Sequence, residues 1–242
     1  MSKIDVSLIL ACYNEGSTFE NSVWKIEKGL KKLKGPWEII FVEDKSTDNT
    51  RAKVLQLAQE IKNSKVVLHP RNMGRGKTVA DGIRAAKGTV CGYIDVDCEI
   101  SPKYIPVFIK EVESGSDMVV ASRYYKKDWK SVSRIVSSVI YSKMVAAILK
   151  LPIDDTEAGY KFFKRNKILP VLEKTRDHGW FWDTEICARS YLFGLKIKQL
   201  RVLFERRAEK KSTVRLFPDS LDYVKKLWAF QREYRKEQNG KN

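Results

Sequence analysis

Histidine is scarce, with two in 242 residues. Neither His69 nor His178 has a ligand-type partner at metal spacing, so both read as structural or solvated. The four cysteines, Cys12, Cys91, Cys98 and Cys187, form no C-x-x-C pair. Most fall in apolar strand or helix patterns, which predicts buried free thiols in a reducing compartment. No apolar run reaches the roughly 20 residues that cross a bilayer. No Walker loop, dinucleotide fingerprint, helix-turn-helix, zinc or RNA-recognition signature appears. Met1-Ser2-Lys3 leads directly into a strand pattern, and no secretory leader is expected. Only Glu237 to Asn242 has the composition of a disordered tail.

Acidic residues are the minority charge: 30 Asp and Glu against 46 Lys and Arg, a formal net charge of +16. Such a field attracts polyanions, whether nucleic acid, lipid headgroups or phosphorylated substrates, and does not choose among them. General solubility is the competing reading. The apolar share of 43% and the length suit one sizeable α/β domain with room for an appendage.

Strands and helices alternate through the first half. Asp5 to Cys12 reads as a buried strand, broken by Tyr13-Asn14-Glu15-Gly16. Ser17, with Glu20 three residues on, suits the start of a helix to about Leu33. Trp37 to Val42 is a second strand, ending in Glu43-Asp44. Ser46-Thr47-Asp48 supplies cap chemistry for a helix to about Ile61. A third strand, Lys65 to Leu68, precedes Gly74-Arg75-Gly76-Lys77 and a helix to about Ala86. Thr89 to Ile94 and Asp117 to Ala121 are further strands, with a helix from Pro102 between them. This βαβ spacing argues for a mostly parallel sheet covered on both faces, in which ligands gather at the carboxyl ends of strands. Tyr13 to Glu15, Glu43-Asp44, Asn72 to Lys77 and Asp95 to Asp97 all fall there. The two glycines allow close backbone approach to a ligand, and a helix start with Arg75 and Lys77 suits phosphate.

Asp95, Asp97 and Glu99 follow a buried strand at alternate positions. In an extended chain, alternation sets all three carboxylates on one side. Hard oxygen donors so placed suit Mg²⁺ or Mn²⁺ with a substrate phosphate. The alternative is a solvated acidic turn.

Together these segments resemble the family 2 inverting glycosyltransferases of the GT-A fold. Tyr13-Asn14-Glu15 is similar to the family's opening motif, with Ala11 in place of its proline. Glu43 to Thr50 resembles [DE]-D-x-S-x-D-x-T, Arg71 to Lys77 resembles R-N-x-G-x-G-x, and Asp95-Val96-Asp97 resembles the metal-binding D-x-D. Ser122-Arg123-Tyr124 and Asp155 to Lys161 resemble the dolichol-phosphate mannose synthase branch. The likeness runs over roughly residues 4 to 215. It implies that Ala11, Tyr13, Glu15, Asp44 and Lys77 border the nucleotide sugar. It implies that Asp95 and Asp97 hold the metal, with Glu99 as a further ligand. Arg123, Arg134 and Ser138 would receive a lipid phosphate. Arg207 and Lys211 would belong to a basic loop over the diphosphate, where Lys210 stands in place of the family's glycine and Thr213 in place of its lysine. Asp97, Arg123 and Asp183 are the catalytic candidates.

The second half has its own patterns. Ser131 to Leu149 is apolar but punctuated by Arg134, Lys143 and Lys150. It suits a helix at a membrane surface or one covering the core. Asp154-Asp155 is a turn or an active-site pair. Asp183 faces a sugar or acceptor, or only caps the helix Thr184 to Leu192. Lys196 to Phe204 reads as a strand. Ser220 to Glu237 is a basic amphipathic helix for which membrane binding, self-association and packing on the sheet are all open.

The expected architecture is an α/β, Rossmann-like catalytic domain over residues 1–217 and a C-terminal amphipathic helix with a short tail over 218–242. The expected activity is metal-dependent transfer of a hexose to a polyprenyl or dolichyl phosphate, peripherally on the cytoplasmic face of a membrane. GDP-mannose is the favoured donor and a UDP-sugar the alternative. A family 2 enzyme using a sugar hydroxyl is the rival. A non-catalytic nucleic-acid-binding protein is a distant third, and no nucleic-acid partner is expected.

Overall fold

The computed structural model describes residues 4–125, 132–206 and 216–239, and of 132–140, 216–222 and 239 the backbone alone. The chain runs β1 (Val6–Cys12), α1 (Phe19–Leu30), β2 (Trp37–Glu43), α2 (Thr50–Glu60), β3 (Ser64–Leu68), α3 (Arg75–Ala85), β4 (Val90–Ile94), α4 (Ile105–Glu113) and β5 (Met118–Tyr125). It continues with α5 (Val132–Leu149), β6 (Tyr160–Lys164), α6 (Arg165–Leu172), α7 (Trp182–Leu192), β7 (Ile197–Phe204) and α8 (Leu216–Asn239). The sheet order is β3-β2-β1-β4-β6-β5-β7. Every pairing is parallel except those of β6, which lies antiparallel between β4 and β5. The expected α/β, mostly parallel architecture is the one observed.

Strand alternation divides the core. Leu8, Leu10, Ile39, Phe41 and Val119 face α1, α2 and α4. Ile9, Ile40, Val42, Tyr93 and Val120 face α3, α6 and α7. Both faces are apolar because both are covered, as a parallel sheet requires. A third cluster joins α5, α7 and α8 through Val145, Leu149, Phe181, Tyr223, Leu227, Phe230 and Tyr234. Both amphipathic helices therefore have packing roles. Among the described residues, no helix is long and apolar enough to cross a membrane.

One local expectation is corrected. α1 is capped at Thr18 rather than Ser17, and without a side-chain cap bond. The stretch Tyr160 to Leu172 forms β6 and α6. Lys161 and Lys164 interrupt its apolar pattern, and Pro170 lies inside the helix.

Candidate active site

The loops at the carboxyl ends of β1, β2 and β4 enclose a cavity of about 430 Å³. Ala11, Tyr13, Glu15, Asp44, Asp95, Asp97 and Glu99 all line it, with Arg75, Trp180 and Arg206. Seven expected site residues are thus brought together. Its size lies within the range of small-molecule sites.

The β1 and β2 loops are stitched side chain to backbone. The amide of Asn14 donates to Ser46 Oγ at 3.1 Å, that of Glu15 to Thr50 Oγ1 at 2.9 Å, and that of Gly16 to Asp48 Oδ2 at 3.3 Å. Alternate polar residues of one loop thus take three consecutive amides of the other. Ser46, Asp48 and Thr50 hold the first loop in place, and Asp48 also accepts from the Thr50 amide at the start of α2.

Asp44 is buried and organises the loop after β3. Its Oδ1 accepts from the Met73 amide at 2.7 Å, and its Oδ2 from the Gly74 amide at 3.0 Å. His69 Nδ1 lies 2.7 Å from Oδ1, and its Nε2 lies 3.1 Å from Asp81. Gly74 has φ +90, and a Cβ there would strike the His178 carbonyl. A Cβ at Gly76 would strike Trp182. The two glycines make room for the 178–182 segment, not simply for a ligand.

Lys77 does not reach the cavity. Its ammonium pairs with Asp81 one turn along α3; burial raises the Asp81 carboxyl, but that bond together with the nearby Lys77, His69 and Arg84 groups holds it low. Arg75 is the cavity's cation from this segment. Its Nη2 donates to Asp95 Oδ1 at 2.6 Å and its Nη1 to Asp183 Oδ2. Its guanidinium carbon lies 5.6 Å from the Tyr93 ring centroid and 5.3 Å from that of Trp180. Burial works against the charge, but Asp183 and Asp95 outweigh it and hold the guanidinium protonated.

The acidic loop is a turn rather than an extended strand end. Cys98 has φ +55, and its amide donates to the Asp95 carbonyl. Strand alternation therefore does not aim the three carboxylates, although all three line the cavity. The Glu205 amide donates to the Glu99 carbonyl at 2.8 Å, and Ile100 bridges to Phe204. That clamp brings Arg206 to the acidic loop. Among the described residues no three His, Cys, Asp or Glu side chains converge as a ready metal cage. A Mg²⁺-type ion bound with a diphosphate takes only one or two carboxylates, and Asp95 and Asp97 fit that need.

Asp183 lies in the first turn of α7 and is not its N-cap. Its Oδ1 accepts from Tyr93 and, at 2.6 Å, from Lys161. With Arg75 on Oδ2, three donors occupy this carboxylate. Lys161, fully buried on β6, also donates to the Ala158 carbonyl at 2.6 Å. A Cβ at Gly159 would fall on the Asp95 carboxylate, so the segment before β6 packs directly under the acidic loop.

Arg123 lies at the end of β5. Its Nε and Nη2 bind Asp155 at 2.6 and 2.9 Å, and Glu157 lies 3.9 Å from Nη2. Asp155 is an ion-pair partner rather than a plain turn residue; burial raises its carboxyl, but Arg123 holds it low. Burial pushes the Glu157 carboxyl up to about 7; Arg123 opposes this, and Asp155 and Asp183 add to it. The side chains of Arg134 and Ser138 lie outside the described part of α5, and Arg207 and Lys211 lie outside the described residues. Sequence reasoning assigned no role to Lys161, Glu157 or Arg206. Lys161 could have been noticed as a lysine framed by apolar aromatics. Arg206 becomes visible only through the clamp to Glu99.

The model of glycosyl transferase family 2 matches residues 7–191. Glycosyltransferase AglD of Haloferax volcanii is 27% identical over 213 residues, which are 86% of this chain and 34% of that protein. A dolichol-phosphate mannosyltransferase of Pyrococcus furiosus is 31% identical over 173 residues, 69% of this chain and 48% of that protein. The chain thus spans less than half the length of these two relatives. Glucosyl-3-phosphoglycerate synthase from Mycobacterium tuberculosis, solved with Mn²⁺, UDP and glucosyl-3-phosphoglycerate, superposes with a TM-score of 0.70 at 19% identity. The match covers 93% of this chain and 79% of that one, and shows the GT-A fold.

Proposed function

The chain belongs to glycosyl transferase family 2, and on that premise we propose that it transfers a hexose, mannose favoured, from a nucleotide sugar to a polyprenyl or dolichyl phosphate with inversion. The observation that carries the acceptor assignment is the state of Asp183. A hydroxyl acceptor needs a carboxylate base, and this carboxylate is occupied by Arg75, Tyr93 and Lys161. A phosphate monoester, with a second pKa of about 6, arrives already ionised near neutral pH and needs no base. The Pyrococcus relative, named for dolichol phosphate, supports the same reading.

In this reading the cavity holds the nucleotide sugar against Tyr13, Glu15 and Asp44. Asp44 Oδ2, which accepts one bond from Gly74, has a lone pair left for a donor group of the ligand. GDP-mannose is the favoured donor and a UDP-sugar the alternative; UDP in the Mycobacterium synthase supports a nucleoside diphosphate. Asp95 and Asp97 would hold Mg²⁺ or Mn²⁺, which neutralises charge on the leaving diphosphate when bound. Arg206 adds a fixed positive charge at the same edge. Arg123, clamped by Asp155, presents its remaining N–H groups to the acceptor phosphate and orients it. The exposed face of α8 carries Lys225, Trp228, Arg232, Arg235 and Lys236. That composition suits the headgroup layer of an anionic membrane, here assigned to a cytoplasmic face.

Glu157 favours the hydroxyl alternative. A carboxyl pushed up to about 7 beside the acceptor arginine has the properties of a general base. A transfer assay separates the two. Purified protein with Mn²⁺ or Mg²⁺ is given radiolabelled GDP-mannose or UDP-glucose, with and without a short polyprenyl phosphate. Label entering organic solvent only with the lipid phosphate, and lost in Asp97→Ala, is the expected result. Nucleotide-sugar binding without lipid labelling would move the assignment to a hydroxyl acceptor.

A further inference from the structure

Arg75 sits at the junction of two needs. Its stem leaves the backbone beside Gly74, which Asp44 and the 178–182 segment hold in place. Its head is bound by Asp183 and faced by the rings of Tyr93 and Trp180. Only its second carboxylate contact reaches a solvated group: the Asp95 side chain is 48% exposed, against 3% for Asp183. Asp95 is also a carboxylate that a divalent ion would have to use. An oxygen that accepts from a guanidinium at 2.6 Å is poorly placed to face a second cation. The charges of the two cations would also oppose each other.

We propose that Arg75 is a resident counter-cation of the donor site, exchanging Asp95 for the donor's diphosphate when a divalent ion takes Asp95. The exchange rests on the donor-site reading above and adds to it a rule for the order of affinities. A metal ion alone must strip Asp95 from Arg75 with no second anion to receive the freed Nη2 edge of the guanidinium. A nucleoside diphosphate alone must compete with Asp95 and then lie beside the carboxylate it has displaced. Together, each ligand removes the other's obstacle, so metal and nucleotide bind with strong positive coupling, equal in both directions. Asp183 and the aromatic faces keep the guanidinium in position throughout. The movement is a swing of one side-chain terminus, and no loop closure is required. The competing reading is a permanent bridge that ties α3 and α7 to the acidic loop and never changes partner.

Titration calorimetry on the full chain, with Mn²⁺ alone, GDP or UDP alone, and each pair, distinguishes these. In the wild type, a saturating nucleoside diphosphate should tighten Mn²⁺ binding about tenfold to a hundredfold, the range of measured couplings. In Arg75→Gln, Mn²⁺ alone should bind about threefold tighter or better than in the wild type, because Asp95 is released, while the coupling falls about threefold or more and the remainder comes from the ion's own attraction for the diphosphate. Arg75→Lys keeps the charge but cannot grip both carboxylates through one planar fork. It should fold even if the glutamine variant does not, and should show intermediate coupling. Full wild-type coupling in both variants, or in the lysine variant where only that one folds, overturns the exchange. So does a wild type that binds Mn²⁺ and nucleotide independently. A wild type that binds neither nucleotide, with or without Mn²⁺, overturns the donor site itself and the exchange with it.

Discussion

Lys161 on β6 and Asp183 on α7 form an ion pair at 2.6 Å, with 0% and 3% of their side chains exposed. The two residues are 22 positions apart, and their pairing ties the antiparallel strand to the helix behind the cavity. Removing either partner is not equivalent. Asp183→Ala leaves Lys161 with the Ala158 carbonyl and the Tyr93 ring but no anion, and takes one of two carboxylates from Arg75. Stranding a buried cation in this way should cost about 3–5 kcal/mol. Lys161→Met leaves Asp183 still bonded to Tyr93 and Arg75 and fills a similar volume, so its cost should be roughly half that or less. Urea denaturation of both variants checks the asymmetry. A methionine variant as unstable as the alanine variant would show that the two partners matter equally and would overturn the asymmetry.

The pH dependence of stability should carry the signature of Glu157. Its carboxyl ordinarily titrates at 4.5 and is pushed up to about 7, first by burial. Between those values the folded state keeps a proton that the unfolded state releases. Stability therefore falls as pH rises through this window, and the penalty is complete above pH 7. Glu157→Gln is neutral throughout and removes the slope. The variant should gain on the wild type from pH 5 to pH 8, by at most about 3 kcal/mol. Denaturation midpoints at four pH values measure this. Parallel curves would mean that Glu157 ionises as an ordinary surface carboxylate.

Much of this arrangement was legible from the sequence, for identifiable reasons. β1 to β5 announce themselves as apolar runs closed by polar clusters, and the covered sheet follows from their alternation with helices. The polar clusters at the carboxyl ends of β1, β2 and β4 do meet in one cavity. What failed was any inference resting on long-range pairing. Lys161 looks like a break in an apolar strand until Asp183 is placed beside it. Asp95, Asp97 and Glu99 look like an extended alternation until the positive φ of Cys98 turns the chain. Lys77 was the natural phosphate ligand at a helix start, but Asp81 lies one turn away on its own helix and takes it. Arg75 instead finds Asp95 and Asp183, 20 and 108 positions away, which no local spacing could indicate.

Gly74 offers a test of how the donor cavity is held. Its φ of +90 disfavours any side chain, and an added Cβ would meet the His178 carbonyl backbone, which cannot rotate aside. Gly74→Ala should cost about 2 kcal/mol from the backbone alone, or roughly 4–8 °C in Tm for a chain of this size. The shift would also loosen the amides that Asp44 holds, so the nucleotide should bind about tenfold more weakly. Thermal melts and nucleotide titration measure the two effects together. A variant that loses stability but keeps nucleotide affinity would separate the Asp44 loop from the ligand.

The exposed face of α8 makes the membrane proposal testable without a substrate. Tyr223, Leu227, Phe230 and Tyr234 are consumed by packing on α5 and α7, so they cannot serve a bilayer. Among the described side chains of α8, those that face outward include Trp228, 53% exposed, with Lys225, Arg232, Arg235 and Lys236. One aromatic ring among these described side chains is too little apolar area for firm insertion of that stretch, so its attraction should be mainly electrostatic. Binding to phosphatidylserine vesicles should therefore exceed binding to phosphatidylcholine vesicles and fall steeply with salt. Each basic group near an anionic surface contributes roughly 1 kcal/mol, so replacing Arg232 and Arg235 by glutamine should lower the partition coefficient by about tenfold or more. Trp228→Ala should lower it on both vesicle types. Sedimentation that is indifferent to lipid charge, or unchanged in the double variant, would rule out this face as the contact.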